Sequence, residues 1–173
     1  EINLRFYVRR EVDGEWRRGV VFIKEIVPRW AIATVARLAY NEKYIARKMN
    51  HRIDFGASQN ALRGEVEYGW QEGRSWNRLF AKTAGVPQAL KQGSEEEFIT
   101  EHYWGYSVQR DGGTIEYQVE HPSWRVWQVS EARFECDVEK VYGAQFKECL
   151  QAKPISAFVA DGSAVIVRKG QRI

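Results

Sequence analysis

The chain has 173 residues, of which 44% are hydrophobic and 13% aromatic, a size and make-up suited to one compact domain with a buried core. Its 26 basic and 23 acidic residues leave a net charge of only +3, too balanced for the massed electrostatic footprint of a nucleic-acid binder. No apolar run approaches the ~20 residues of a membrane helix, and the two cysteines, Cys136 and Cys149, have no metal-ligand spacing. These features fit a cytoplasmic protein with reduced thiols, no membrane partner and no nucleic-acid partner. Glu1 stands directly inside an alternating run, which suggests that an N-terminal segment is missing.

Residues 2–12 alternate Ile2, Leu4, Phe6 and Val8 with Asn3, Arg5, Tyr7 and Arg9, the period of a strand with one buried face. Asp13-Gly14 forms a two-residue turn and "EWRRGVVFIKEI" returns as the partner strand. The arginines of "RFYVRREVDGEWRR" read as a solvated basic face of this hairpin. Pro28 suits a helix start, and "RWAIATVARLAY" follows with Ala31, Val35 and Leu38 on one side and Asn41 as a stop. "YIARKMNHRIDF", "ALRGEVEYGWQEG" and "RSWNRLFAKTAG" then predict three strands, with the tightest turn near Gly73.

Ser94 and Glu97 have the three-residue spacing of a capping box, so "EEE" reads as helix-start chemistry rather than a metal site. "YWGYSVQR", the "DGG" turn and "TIEYQVEHP" predict a second hairpin, and "WRVWQVSEARFEC" a further strand. A helical piece follows around residues 138–150. "ISAFVAD" and "SAVIVRK", joined at Gly162, predict a third hairpin. About nine strands with two or three short helices give a mainly β fold with minor α. An antiparallel sheet of that size hides its edges most completely as a closed or cone-like barrel.

Four segments, "LAYNEKYIARKM", "FITEHYWGY", "VEHPSWRVW" and "VADGSAVIV", in their order and spacing, resemble the uncharacterised bacterial YqjF-like proteins of the acetoacetate decarboxylase-like fold. That resemblance covers nearly the whole chain. It implies a cone-like barrel around a small cavity, and its relatives imply a homo-oligomer. In the decarboxylases a Pro-Lys-Lys sequence supplies a Schiff-base lysine, a type of nucleophile activated by desolvation and a neighbouring cation. Set on "RLAYNEKYIA", the pattern places Lys43 at the proline, Tyr44 at the nucleophile and Ile45 at the cationic neighbour. A phenol cannot form an imine, and a one-residue slip to Lys43 would turn the side chain to the opposite sheet face. Lys43 and Lys48 therefore read as solvated lysines. The resemblance also sets Glu1 at a glutamate that the decarboxylases use, where burial would make it an acid or base.

His51, His102 and His121 are too widely separated for a local metal motif. In "EHYWGY", Trp104 and Tyr106 fall on one strand face and Tyr103 and Gly105 on the other. His102 is expected either to cap the preceding helix in its charged form or to line a pocket with Tyr103. His121, before Pro122, reads as a corner residue bonded to backbone. No phosphate-cradling loop or serine elbow occurs, so no cofactor is expected.

The sequence thus predicts a small organic carbonyl or carboxylate compound bound in an apolar, aromatic cavity lined by Tyr44, Arg47, His102 and Tyr103. If the protein is an enzyme, Tyr44, His102 and Glu1 are the catalytic candidates, for lyase-like chemistry on a keto acid without an imine. Tyr44 would stabilise an enolate and Arg47 would hold a carboxylate in a fork. The competing expectation is a non-catalytic assembly module with a packed interior.

Overall fold

A computed structural model describes residues 1–28, 43–56 and 63–173. The predicted helix over residues 29–40 lies outside them. The described residues form twelve strands and three short α-helices, which upholds the mainly β expectation. They pair into two sheets, and each is an open path of strands whose hydrogen bonds do not close into a barrel. Chain contacts group the residues into two compact units, each built from separate segments of sequence. None of the helices among the described residues is long and apolar enough to cross a membrane.

The first unit comprises residues 1–46, 93–123 and 163–173. Its hairpin pairs β1 (Ile2–Val12) with β2 (Glu15–Val27). Asp13 and Gly14 both take positive φ, 52° and 82°, the turn geometry whose twist matches two antiparallel strands. The sheet runs β1-β2-β7-β8-β11, where β7 is Trp104–Val108, β8 is Thr114–Glu120 and β11 is Ile166–Val167. β12 (Gln171–Arg172) also pairs with β8, and β3 (Tyr44–Ala46) lies parallel to β2.

Parallel contact between β2 and β7 puts Val20 beside Gly105. The neighbouring Gly19 is required there: a Cβ would come within 2.6 Å of the Tyr106 ring and 2.7 Å of the Trp104 carbonyl oxygen. Ile2, Val20, Ile26 and Tyr106 are among the buried residues of this unit.

Helix α1 (Glu95–Thr100) starts at Ser94, whose side chain accepts from the Glu97 amide at 3.2 Å. The capping box is modified on its return arm, because Glu97 Oε2 accepts from the Gly93 amide at 2.6 Å, one residue before the cap.

The second unit comprises residues 47–92 and 124–162. Its sheet runs β10-β9-β6-β5-β4, with β4 at Met49–Asp54, β5 at Glu65–Glu72, β6 at Ser75–Gln88, β9 at Val126–Glu135 and β10 at Phe158–Ala160. Asn77 fastens this sheet to α2 (Val138–Tyr142). Its Nδ2 donates to the Trp70 carbonyl at 3.3 Å, and its Oδ1 accepts from the Asp137 amide at 2.9 Å. Asp137 in turn caps α2 through the Lys140 amide, while Trp70, Val138 and Val141 are buried at 0–1% exposure. A 3-10 turn (Ala144–Phe146) leads into α3 (Lys147–Gln151).

The expected closed or cone-like barrel gives way to two open sheets, and two further sequence expectations change. The strand expected from Tyr44 to Phe55 breaks at Arg47–Lys48, and its halves join different sheets. The expected third hairpin does not form either: β10 pairs with β9, whereas β11 pairs with β8. Apolar alternation shows that a segment is extended, but it carries no information about which neighbour completes its ladder.

Candidate functional site

The sequence candidates divide between the units. Tyr44, His102, Tyr103 and Glu1 belong to the first, and Arg47 to the second. Arg47 already uses its fork, donating to both oxygens of Glu72 at 2.7 and 3.1 Å. A guanidinium engaged in this way is not a vacant carboxylate clamp.

Strand register places Tyr44 beside Glu25, and Glu25 opposite Asn3. Glu25 is a buried carboxylate, 2% exposed, that the sequence reading passed over. Glu1 stands before β1 and is exposed. Lys43 and Lys48 are exposed, unlike the desolvated lysines that form imines.

His102 is 7% exposed, with its ring 4.6 Å from that of Tyr7 and 5.1 Å from that of Phe98. Neither ring nitrogen has a hydrogen-bond partner among the described residues. Burial, together with the charges of Arg18 and Arg5, lowers its pKa to about 4 against a weaker opposing pull from the Ile99 carbonyl. The sequence expectation of a charged helix cap is therefore overturned: His102 is neutral at pH 7 because it is inserted among rings. His121, as expected, is a corner residue whose Nδ1 lies 2.9 Å from the Pro122 carbonyl oxygen.

Tyr103 lies at an open cleft of about 390 Å³. Its hydroxyl donates to Glu101 Oε2. That hydrogen bond, reinforced by burial, pushes the phenol up to about 12, so it stays protonated. Trp16, Arg17 and Arg18 of β2 line one part of the cleft, with Glu97, Glu101 and Trp104 around the rest.

The arginines have different surroundings. Arg17 donates to Glu116 Oε1 at 2.9 Å and lies 4.3 Å from the centroid of the Trp104 ring. Arg10, its cross-strand neighbour, donates to Glu116 Oε2 at 2.9 Å, and Gln171 donates to Oε1 at 3.3 Å. Burial acts to raise the Glu116 carboxyl, but the hydrogen bonds from Arg10 and Gln171 and the charge of Arg10 outweigh it and hold the group below its ordinary value. Arg18 instead rests 5.7 Å from the Phe98 ring centroid and makes no ion pair among the described residues.

The basic face read as solvated is thus an organised array, with Arg9 also 4.5 Å from the Trp16 ring centroid. Alternation along β2 sets Trp16 and Arg18 on one face and Arg17 on the other. The missing signal was α1, about 80 residues downstream, which brings Glu97 and Glu101 to the same cleft.

No curated protein and no solved structure gives a significant match to the sequence. One family model matches residues 1–164. On that match, the chain belongs to DUF2071, a family of uncharacterised conserved proteins.

Proposed function

We propose that this protein binds a small organic carboxylate, without a covalent bond, in the cleft beside Arg18. The observation that carries the reading is a guanidinium with no ion pair among the described residues, at a cleft where Arg17 is held by Glu116 and where Glu97 and Glu101 each accept one hydrogen bond. A carboxylate would meet the planar fork of Arg18 in a charge-assisted pair. Tyr103, held protonated, supplies a polar edge beside it. The resemblance to YqjF-like proteins of the acetoacetate decarboxylase-like fold, with Tyr44 at the lysine position, supports a small-molecule role that does without an imine.

Isothermal titration calorimetry with matched acids and primary amides tests this reading. Wild type is expected to bind the acids and not the amides, and Arg18→Gln to lose at least tenfold in affinity, about 1.4 kcal/mol. Equal binding of acid and amide, or unchanged affinity in the variant, would contradict it.

A second reading is favoured by the row Asn3–Glu25–Tyr44. A buried carboxylate and a phenol on one sheet face form an acid-base pair suited to enolising a small keto acid. Solvent deuterium exchange at the ketone α-carbon would reveal such chemistry, and Tyr44→Phe should abolish it. Exchange that persists in that variant would refute the role of Tyr44.

A further inference from the structure

Resting on the carboxylate reading above, we infer that the ligand is an aromatic monocarboxylate whose ring packs against Trp16. Trp16 and Trp104 both line the cleft with Tyr103, so its walls combine ring surface with one uncommitted cation. The two indoles are held differently. Trp104 is half-buried and carries the guanidinium of Arg17, which Glu116 fixes in place. Trp16 is 55% exposed, although it stands next to Arg18 on the cleft wall.

An indole left largely in water contributes little to a core, and its exposed area is available to another apolar ring. Arg9 lies 4.5 Å from the Trp16 ring centroid, a cation–π contact that steadies the indole without covering it. The cleft volume of about 390 Å³ exceeds the roughly 150 Å³ that holds one benzene ring. One or two fused rings with a short acid arm fit that space.

Charge sets the second limit. Glu97 and Glu101 line the cleft as well, and each is held by an internal hydrogen bond. Arg17 is shared with Glu116, so Arg18 is the one lining guanidinium without an ion pair among the described residues, and two carboxylates border it. This field accepts one negative charge at Arg18 and disfavours a phosphate or a dicarboxylate.

Equilibrium dialysis with indole-3-acetate, phenylacetate, cyclohexylacetate, acetate and inorganic phosphate tests the inference on wild type, Trp16→Ala and Trp16→Phe. Circular dichroism confirms that each variant is folded. Wild type is expected to bind the two aromatic acids at least tenfold more tightly than cyclohexylacetate or acetate, with no competition from phosphate. Trp16→Ala should erase that preference and Trp16→Phe should restore part of it. If cyclohexylacetate and acetate bind as well as the aromatic acids, or if the preference survives in Trp16→Ala, the aromatic inference falls while the carboxylate reading stands. Competition by phosphate would overturn the monoanion requirement. If no acid binds, both readings fall.

Discussion

Replacing Glu116 by Gln should loosen the hairpin that builds the cleft, and the size of the effect follows from its surroundings. The carboxylate is fully buried and receives Arg10 and Arg17, which face each other across β1 and β2. An amide of the same shape leaves two guanidiniums opposed without a counter-charge. Removing one member of a buried ion pair costs about 3–5 kcal/mol. The two arginines keep 37% and 31% of their side-chain surface in water. Solvent screening at that exposure reduces the expected cost to about 2–3 kcal/mol. For a chain of this length that corresponds to a fall in Tm of roughly 5–10 °C.

The effect must also depend on pH in one direction. Glu116 has a folded-state pKa below its ordinary value of 4.5, so its stabilisation is present above that pH and is lost as pH falls through the folded value. Thermal unfolding of wild type and Glu116→Gln, followed by tryptophan fluorescence, should therefore show a wide gap at pH 7 that narrows below pH 4.5. A gap that is absent at pH 7, or that keeps its width in acid, would refute the reasoning.

His102 should titrate near pH 4 by NMR. Because its folded pKa is depressed below the unfolded value of 6.5, wild type should lose stability as pH falls from 6.5 toward 4, and His102→Phe should lack that component of the loss. Gly105→Ala should destabilise the first unit, since a Cβ there would meet the Tyr117 ring at 2.2 Å; an unchanged Tm would contradict the β7–β8 packing. Burial pushes the Cys136 thiol up to about 11, whereas Cys149 is exposed. Iodoacetamide at pH 8 should accordingly label Cys149 first by peptide mass mapping. Borohydride trapping with small β-keto acids should leave Lys43 and Lys48 unmodified, and a reduced adduct on either would restore imine chemistry.

Local signals carried much of this fold. Asp13-Gly14, Ser94 with Glu97, and the alternation through Trp104–Tyr106 each encode geometry within a few residues, and all three elements formed where expected. What the sequence did not reveal was pairing between distant segments. Phe158–Ala160 and Ile166–Val167 looked like two arms of one hairpin, yet they complete ladders begun by β9 and β8. The site followed the same division. Tyr103, expected in one cavity with Tyr44, Arg47 and His102, stands just before β7 and lines a cleft that includes none of those three. Arg18, by contrast, is singled out only once Glu116, on another strand, has claimed Arg17, the other arginine lining the cleft. Glu25 looked like one more charge in "FIKEI" until β1 and β3 enclosed β2 on both sides. His102 illustrates the same limit: its place after α1 suggested a helix cap, but Tyr7 and Phe98 surround it.

Selective labelling of arginine side chains offers the most direct test of the central claim. The Nε resonance of Arg18 would be followed during titration with phenylacetate and, separately, with phenylacetamide. Binding at the uncommitted guanidinium predicts a saturable shift of Arg18 with the acid alone, while the Arg47 signal, held by Glu72, stays in place. A still Arg18 resonance at saturating acid, or identical shifts with acid and amide, would contradict the account.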